Sequence, residues 1–93
     1  MEQLEIKDPE DWYRVKSLLR VQCFRFLMFL DDYDRMCNSI ELKIKDLCLI
    51  DIELRKNKNS IHFQQLRKNK VDEINETLKI YSKILLIATL AKR

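Results

Sequence analysis

Apolar residues recur every three or four positions along most of the chain, the spacing that places side chains on one face of an α-helix. One such stretch begins at Trp12 and a second at Phe63, and the polar segment between them is rich in Asn and Lys, which suits a turn. The pattern therefore predicts a helix over about 9–56, a turn at about 57–60 and a second helix over about 61–91.

Local signals at the two predicted helix starts agree with these bounds. Asp8 can cap the first helix, because a short acceptor side chain satisfies free backbone N–H groups there, and Pro9 suits the first helical position. Asn59 or Ser60 can cap the second helix in the same way.

Composition narrows the fold class. The 93 residues include no glycine and a single proline, whereas tight turns and bulges usually need glycine. Folds with many turns, such as β-sandwiches, barrels and βαβ units, are therefore disfavoured. We predict one all-α domain over residues 1–93, a long antiparallel, coiled-coil-like helical hairpin that completes a helical bundle by oligomerisation.

A three-helix bundle is the alternative fold. Asn38, followed three residues later by Glu41, resembles a capping box, a motif that begins helices. A break near Asn38 would divide the first long helix in two, although the apolar stripe passes this position without losing phase.

Unequal helix lengths predict an interaction surface at the end of the hairpin away from the turn. At a rise of 1.5 Å per residue the first helix would span about 70 Å and the second about 45 Å, so the segment 12–21 would extend beyond its partner. Apolar residues left in water usually mark an interaction site. The predicted protein interface consists of Trp12, Val15, Leu19, Phe26 and Phe29 from the first helix and Ile84 and Ile87 from the second.

Cations cluster around the predicted turn. Between Arg55 and Lys70 the chain has six cations and no acid, whereas the rest carries twelve cations and fifteen acids. Such a basic tip can contact an acidic protein or nucleic-acid phosphates, and it also favours solubility. Its members are Arg55, Lys56, Lys58, Arg67, Lys68 and Lys70.

Candidate chemistry is sparse. The three cysteines, Cys23, Cys37 and Cys48, and the single histidine, His62, are not spaced like zinc ligands, and a chain without glycine cannot form a glycine-rich phosphate loop. An odd cysteine count is typical of reduced thiols. A membrane span needs about twenty apolar residues, and no apolar run in the sequence approaches that length. We expect no enzymatic activity, no cofactor, no metal site and an intracellular location, cytoplasmic or nuclear.

Two functions are compatible with these features. The favoured one is a non-enzymatic helical assembly or adaptor subunit that binds protein partners, in a homo- or hetero-oligomer, through its apolar end. The alternative is a dimeric nucleic-acid-binding protein that contacts phosphates through the basic tip.

Overall fold

The chain forms a three-helix rod. The computed structural model describes residues 4–25 and 30–91, and within these ranges the chain has three α-helices and no strand. Helix α1 is Asp11–Arg25, α2 is Leu30–Lys56 and α3 is Ile61–Ala91. The rod measures 52 × 18 × 18 Å. The prediction of an all-α class is confirmed for these residues, and none of the three helices, over the part described, is long and apolar enough to cross a bilayer.

Helix α1 folds back on α2, so the prediction of one continuous first helix is wrong. Trp12 Nε1 donates to Glu41 Oε1 at 3.3 Å, and Lys16 Nζ lies 2.7 Å from the same oxygen. In a continuous helix, Lys16 and Glu41 would be about 37 Å apart at 1.5 Å per residue. Folding back lets Val15 and Leu19 become buried within the chain, which one extended helix would not allow.

The alternative prediction, a break near Asn38, has the right number of helices but the wrong place for the division. Helix α2 runs without interruption through Asn38, whose side chain is exposed. Glu41 binds side chains of α1 and does not close a capping box. The apolar stripe keeps its phase there because the helix is continuous. The division falls between Arg25 and Leu30, and residues 26–29 lie outside the described ranges.

Helices α2 and α3 are antiparallel. Three ion pairs join them, Lys43–Glu73, Asp46–Lys70 and Asp51–Arg67, with N···O distances of 2.8, 3.6 and 2.7 Å. As the residue number increases along α2 it decreases along α3 by nearly the same step, so a single register holds along this pair. Extended to the end away from the turn, this register places residues 83–86 of α3 level with residues 31–34 of α2.

The core draws on every element. The fully buried side chains are Ile6, Val15, Leu19, Ile40, Leu47, Ile74, Leu78 and Leu85. Residues 4–8, called here the N-terminal segment, contribute Leu4 and Ile6, which the helical pattern did not assign to the core. Ser60 caps α3, since its Oγ accepts the Phe63 N–H at 3.3 Å.

Candidate interaction surfaces

The α1 residues of the predicted interface lie in the core of the single chain. Trp12, Val15 and Leu19 are all buried. The expected overhang is absent because α1 packs along α2 and does not project beyond it. These three residues therefore offer no accessible surface to a partner. Phe26 and Phe29 lie outside the described residues.

The α3 residues of the predicted interface are exposed. Ile84 and Ile87 have 41% and 65% of their surface accessible, and Ile80 and Leu90 continue the same helical spacing at 49% and 58%. We call these four residues the α3 outer face. The core residues of α3, such as Leu85, lie on the opposite side of the helix. This half of α3 is therefore apolar on two sides, and only one of them is used by its own chain.

Two lysines border the α3 outer face on one side. At 100° per residue, the positions around α3 run from the side that contacts α2 through Ile84, Ile80 and Ile87. They then pass the exposed Glu76 and reach Lys83, Leu90 and Lys79. Both lysines are exposed, and neither forms an ion pair with another residue that the structure describes.

Three aspartates lie in the first turns of α2, at the same end of the rod as this face. Asp31 and Asp34 are exposed and Asp32 is partly exposed. The common register puts them level with residues 83–86 of α3, and they have no ion-pair partner within the described ranges. Arg35 is the one cation among them. The pKa of Lys16 in α1 is raised mainly by Glu41 and also by Asp34, so Asp34 lies on the α1 side of α2.

Two members of the predicted basic tip are engaged within the chain. Arg67 Nε donates to Asp51 Oδ1 at 2.7 Å, and its Nη2 donates to Asp8 Oδ1 at 2.8 Å and to the Lys7 carbonyl at 3.1 Å. The Asp51 carboxylate raises the pKa of Arg67 further above its usual value. Lys70 Nζ lies 3.6 Å from Asp46 of α2 and 3.0 Å from Glu73 of its own helix. Glu73 raises the pKa of Lys70 most.

Four members of the tip remain exposed. Arg55, Lys56, Lys58 and Lys68 surround the turn between α2 and α3. Lys56 lies 3.8 Å from Glu53, a distance at which an exposed pair contributes little. The accessible tip therefore has four cations, where the sequence predicted six.

Asn75 holds the N-terminal segment against α3. Its Nδ2 donates to the Ile6 carbonyl at 2.9 Å, and its Oδ1 accepts the Ile6 N–H at 2.8 Å. Arg14 Nη2 also donates to the Glu5 carbonyl at 3.0 Å. Sequence reasoning missed this contact, because a single Asn within a helix does not indicate a backbone partner 69 residues away.

The predicted cap of α1, Asp8, has a different role in the structure. The Asp8 carboxylate binds Arg67, so it does not cap α1. The Asp11 carboxylate accepts the backbone N–H groups of Lys7 and Asp8, at 2.8 and 3.1 Å, and the first of these lowers the pKa of Asp11 most. Asp11, the first residue of α1, therefore stabilises the turn that precedes the helix.

Two of the three thiols lie in surroundings that suppress reactivity. Cys23 and Cys37 are buried and Cys48 is exposed. Burial raises the pKa of both buried thiols. It is also the main reason that the pKa of Tyr33, whose hydroxyl bonds to Cys37, rises to about 12. Within the described ranges, no three His, Cys, Asp or Glu side chains converge as metal ligands would.

Comparisons with protein-family models, with curated proteins and with solved structures found no match for this chain. The functional interpretation accordingly depends on the surfaces described above.

Proposed function

We propose that this protein is a non-enzymatic helical assembly or adaptor subunit that binds a helix of another protein chain through the α3 outer face. The observation that carries the proposal is the exposure of Ile80, Ile84, Ile87 and Leu90 in one continuous stripe. The three helices already bury a core without these residues. Their exposed surface is therefore available to a partner.

The size of the stripe supports a docking role. The accessible area of the four side chains is roughly 400 Å², within the about 300–600 Å² of the largest apolar patches on typical monomers, which are often functional. A stripe at three- and four-residue spacing fits a partner helix, because the side chains of one helix then pack into the grooves of the next.

The basic tip supports a second contact at the other end of the rod. Arg55, Lys56, Lys58 and Lys68 are exposed there, so one subunit can bind a helix at one end and an acidic surface at the other. These cations also support the second candidate function, a dimer that contacts nucleic-acid phosphates. Binding to a mixed-sequence duplex that weakens steeply with added salt would favour that candidate.

Site-specific photocrosslinking tests the docking face. A photoreactive residue at position 87 should give a crosslinked adduct of defined mass in cells that make the protein. The same probe at Gln65, which is exposed on α3 near the turn, should give none. Ile84→Glu should abolish the adduct and leave the circular dichroism spectrum unchanged, because this side chain already contacts water.

The folding contrast for this test is Leu85→Glu. Leu85 is 1% exposed, and an unpaired charge at that position should unfold the chain. Equal crosslinking from positions 65 and 87, or an adduct that survives Ile84→Glu, would count against the α3 outer face as the docking site.

A further inference from the structure

We infer that the cleft between α1 and α3 is a binding site for an extended segment of another protein chain, and that the N-terminal segment is its resident, displaceable occupant. The ligand is a peptide with aliphatic side chains at two alternate positions and a carboxylate two residues after the second. The inference does not depend on the α3 outer face, because none of the residues of that face takes part.

The N-terminal segment has the burial pattern of an extended chain that lies on a surface. Leu4 and Ile6 are buried, with 7% and 1% exposure. Glu5 and Lys7, the residues that follow them, are exposed. Asp8 continues the alternation, since its carboxylate binds a guanidinium of α3. Alternate side chains of an extended chain point to one side, so the residues that face the cleft are an aliphatic pair and an acid.

Side chains hold the backbone of the segment. Six consecutive backbone groups, from the Glu5 carbonyl to the Asp8 N–H, each form a hydrogen bond with a side chain at 2.8–3.1 Å. Two of these side chains belong to α1 and two to α3: Asp11, Arg14, Arg67 and Asn75. Every peptide has the same backbone groups, so bonds to them hold an extended chain whatever its sequence, and the alternate side chains supply the specificity. The cleft therefore has both components of a peptide-binding site.

The groups that bind the segment are held in place by other contacts. Arg67 Nε is bonded to Asp51 of α2 at 2.7 Å, which leaves Nη2 directed at the segment. Helix α1 is joined to α2 by the pair Lys16–Glu41. A site whose groups are already oriented loses less freedom when a ligand binds. A peptide from another chain would therefore meet the same donors and acceptors as the resident segment does.

An untethered chain can make contacts that the resident segment does not. Ile6 is bonded to Asn75 of α3. Asp8, further along the segment, is bonded to Arg67, earlier in α3, so the two run antiparallel before the chain turns into α1. An open depression of about 290 Å³ lies beside Lys7. The α3 residues that line it are Gln64, Arg67, Lys68, Val71 and Asp72. A peptide that is not tied to α1 can continue along α3 here, and these contacts offset the high local concentration that the tether gives the resident segment.

A synthetic peptide with the sequence of residues 4–8, blocked at both ends and fluorescently labelled, tests the site by anisotropy. The unaltered chain should bind it weakly, because the resident segment competes. Leu4→Ala with Ile6→Ala removes the aliphatic side chains of the resident segment and leaves the four side chains that form the hydrogen bonds. This double variant should bind the peptide at least about tenfold more tightly, since the cleft is then open in a larger fraction of the molecules.

Two controls examine how the peptide is held. N-methylation of the isoleucine in the peptide removes the N–H that bonds to Asn75 and keeps the side chain, so the affinity of the double variant should fall by about fivefold or more. Adding Asn75→Ala to the double variant should have the same effect. Asn69→Ala, on the exposed surface of the same helix, should change the affinity by less than about twofold.

Hydrogen exchange on the unaltered chain decides the case if circular dichroism shows that the double variant is not folded. Excess peptide should accelerate exchange of the Ile6 amide, which leaves Asn75 Oδ1 when the segment is displaced. It should not affect the amide of Leu47, which is fully buried in α2. An unchanged Ile6 amide, or equal acceleration at both amides, overturns the inference. So does a folded double variant that binds the peptide no better than the unaltered chain, or that binds the N-methylated peptide equally well.

Discussion

Arg67 joins three parts of the chain through one guanidinium group. It binds Asp51 of α2 and both the Asp8 carboxylate and the Lys7 carbonyl of the N-terminal segment. A guanidinium is planar and carries five donors, so it can serve several acceptors at once, which a lysine ammonium in the same place would not reproduce. Its partial burial keeps these bonds from being screened as fully as those of an exposed pair.

Removal of this side chain should therefore cost stability. We expect Arg67→Ala to lower the free energy of unfolding by about 1.5–3 kcal/mol, the range for hydrogen bonds to charged groups. Its neighbour Lys68 is exposed, and Lys68→Ala should change the same quantity by less than about 0.5 kcal/mol. Urea unfolding followed by circular dichroism measures both, and equal losses would mean that Arg67 is one more solvated cation of the tip.

Asn75 should protect the backbone of Ile6 from exchange. Because the Ile6 N–H is bonded to Asn75 Oδ1, Asn75→Ala should accelerate hydrogen exchange at that amide and destabilise the chain by about 1–3 kcal/mol, the cost of an unsatisfied buried group. Asn69 is exposed on the same helix, where its Oδ1 accepts from Gln65 Nε2, so Asn69→Ala should leave the Ile6 amide protected. An unchanged exchange rate of the Ile6 amide in Asn75→Ala would refute the role of these hydrogen bonds.

The limits of sequence reasoning at this scale are visible in the tip. Position along the chain showed that six cations lie close together, and four of them are accessible. It did not show that Arg67 meets acids 16 and 59 residues away, because that depends on which helix faces pack. The same dependence hid Asn75, whose partner is a backbone amide.

At the scale of elements, Asn38 and Ser60 have opposite roles despite similar capping chemistry. Asn38 is exposed in the middle of α2, whereas the Ser60 oxygen accepts a backbone N–H at the start of α3. Asn38→Ala should raise the unfolding free energy by about 0.5 kcal/mol, because alanine favours helix interiors. Ser60→Ala should lower it by about 1 kcal/mol, since a cap is lost.

The decisive result is whether Asn38→Ala raises or lowers the free energy of unfolding. If Asn38 began a helix, its replacement by alanine would destabilise the protein as Ser60→Ala does. Thermal unfolding of the two variants beside the unaltered chain is enough to separate a continuous α2 from one broken near Asn38.

The elements differed in how well the sequence predicted them. Helix α3 and the turn before it follow from a regular stripe and a polar segment rich in Asn, both of which are local signals. The division between α1 and α2 has no glycine or proline near it. We interpreted Trp12, Val15 and Leu19 as an interface, when α1 in fact folds back on its own chain and these residues belong to its core.

At the scale of the whole molecule, two glutamates link the three helices. Glu41 binds Lys16 and so joins α1 to α2, and Glu73 binds Lys43 and so joins α2 to α3. The Lys16 ammonium lowers the pKa of Glu41, and the Lys43 ammonium lowers the pKa of Glu73. Both carboxylates are therefore more stable as anions in the folded chain than in the unfolded one.

Acid should loosen the bundle for this reason. A depressed carboxylate pKa contributes stability above the unfolded value, about 4.3 for Glu, and that contribution is lost as pH falls through the lower folded value. Glu41→Gln with Glu73→Gln should thus be less stable than the unaltered chain at pH 7 and nearly equal to it at about pH 2. Thermal melts across this pH range measure the difference in stability between the two proteins. A difference that does not change with pH would exclude the Lys16–Glu41 and Lys43–Glu73 pairs as its source.

The docking of the N-terminal segment on α3 has a consequence for the order of events during synthesis. The Ile6 backbone finds its partner 69 residues later, at Asn75, whereas Lys16 and Glu41 are 25 residues apart. At about 5–20 residues per second, a ribosome needs roughly 3–14 s to add the stretch between Ile6 and Asn75. Helices α1 and α2 can pair during that interval, while Leu4 and Ile6 stay uncovered. The part of the segment made first is thus among the last to reach its final place, and it is the part most open to chaperones or proteases until α3 emerges.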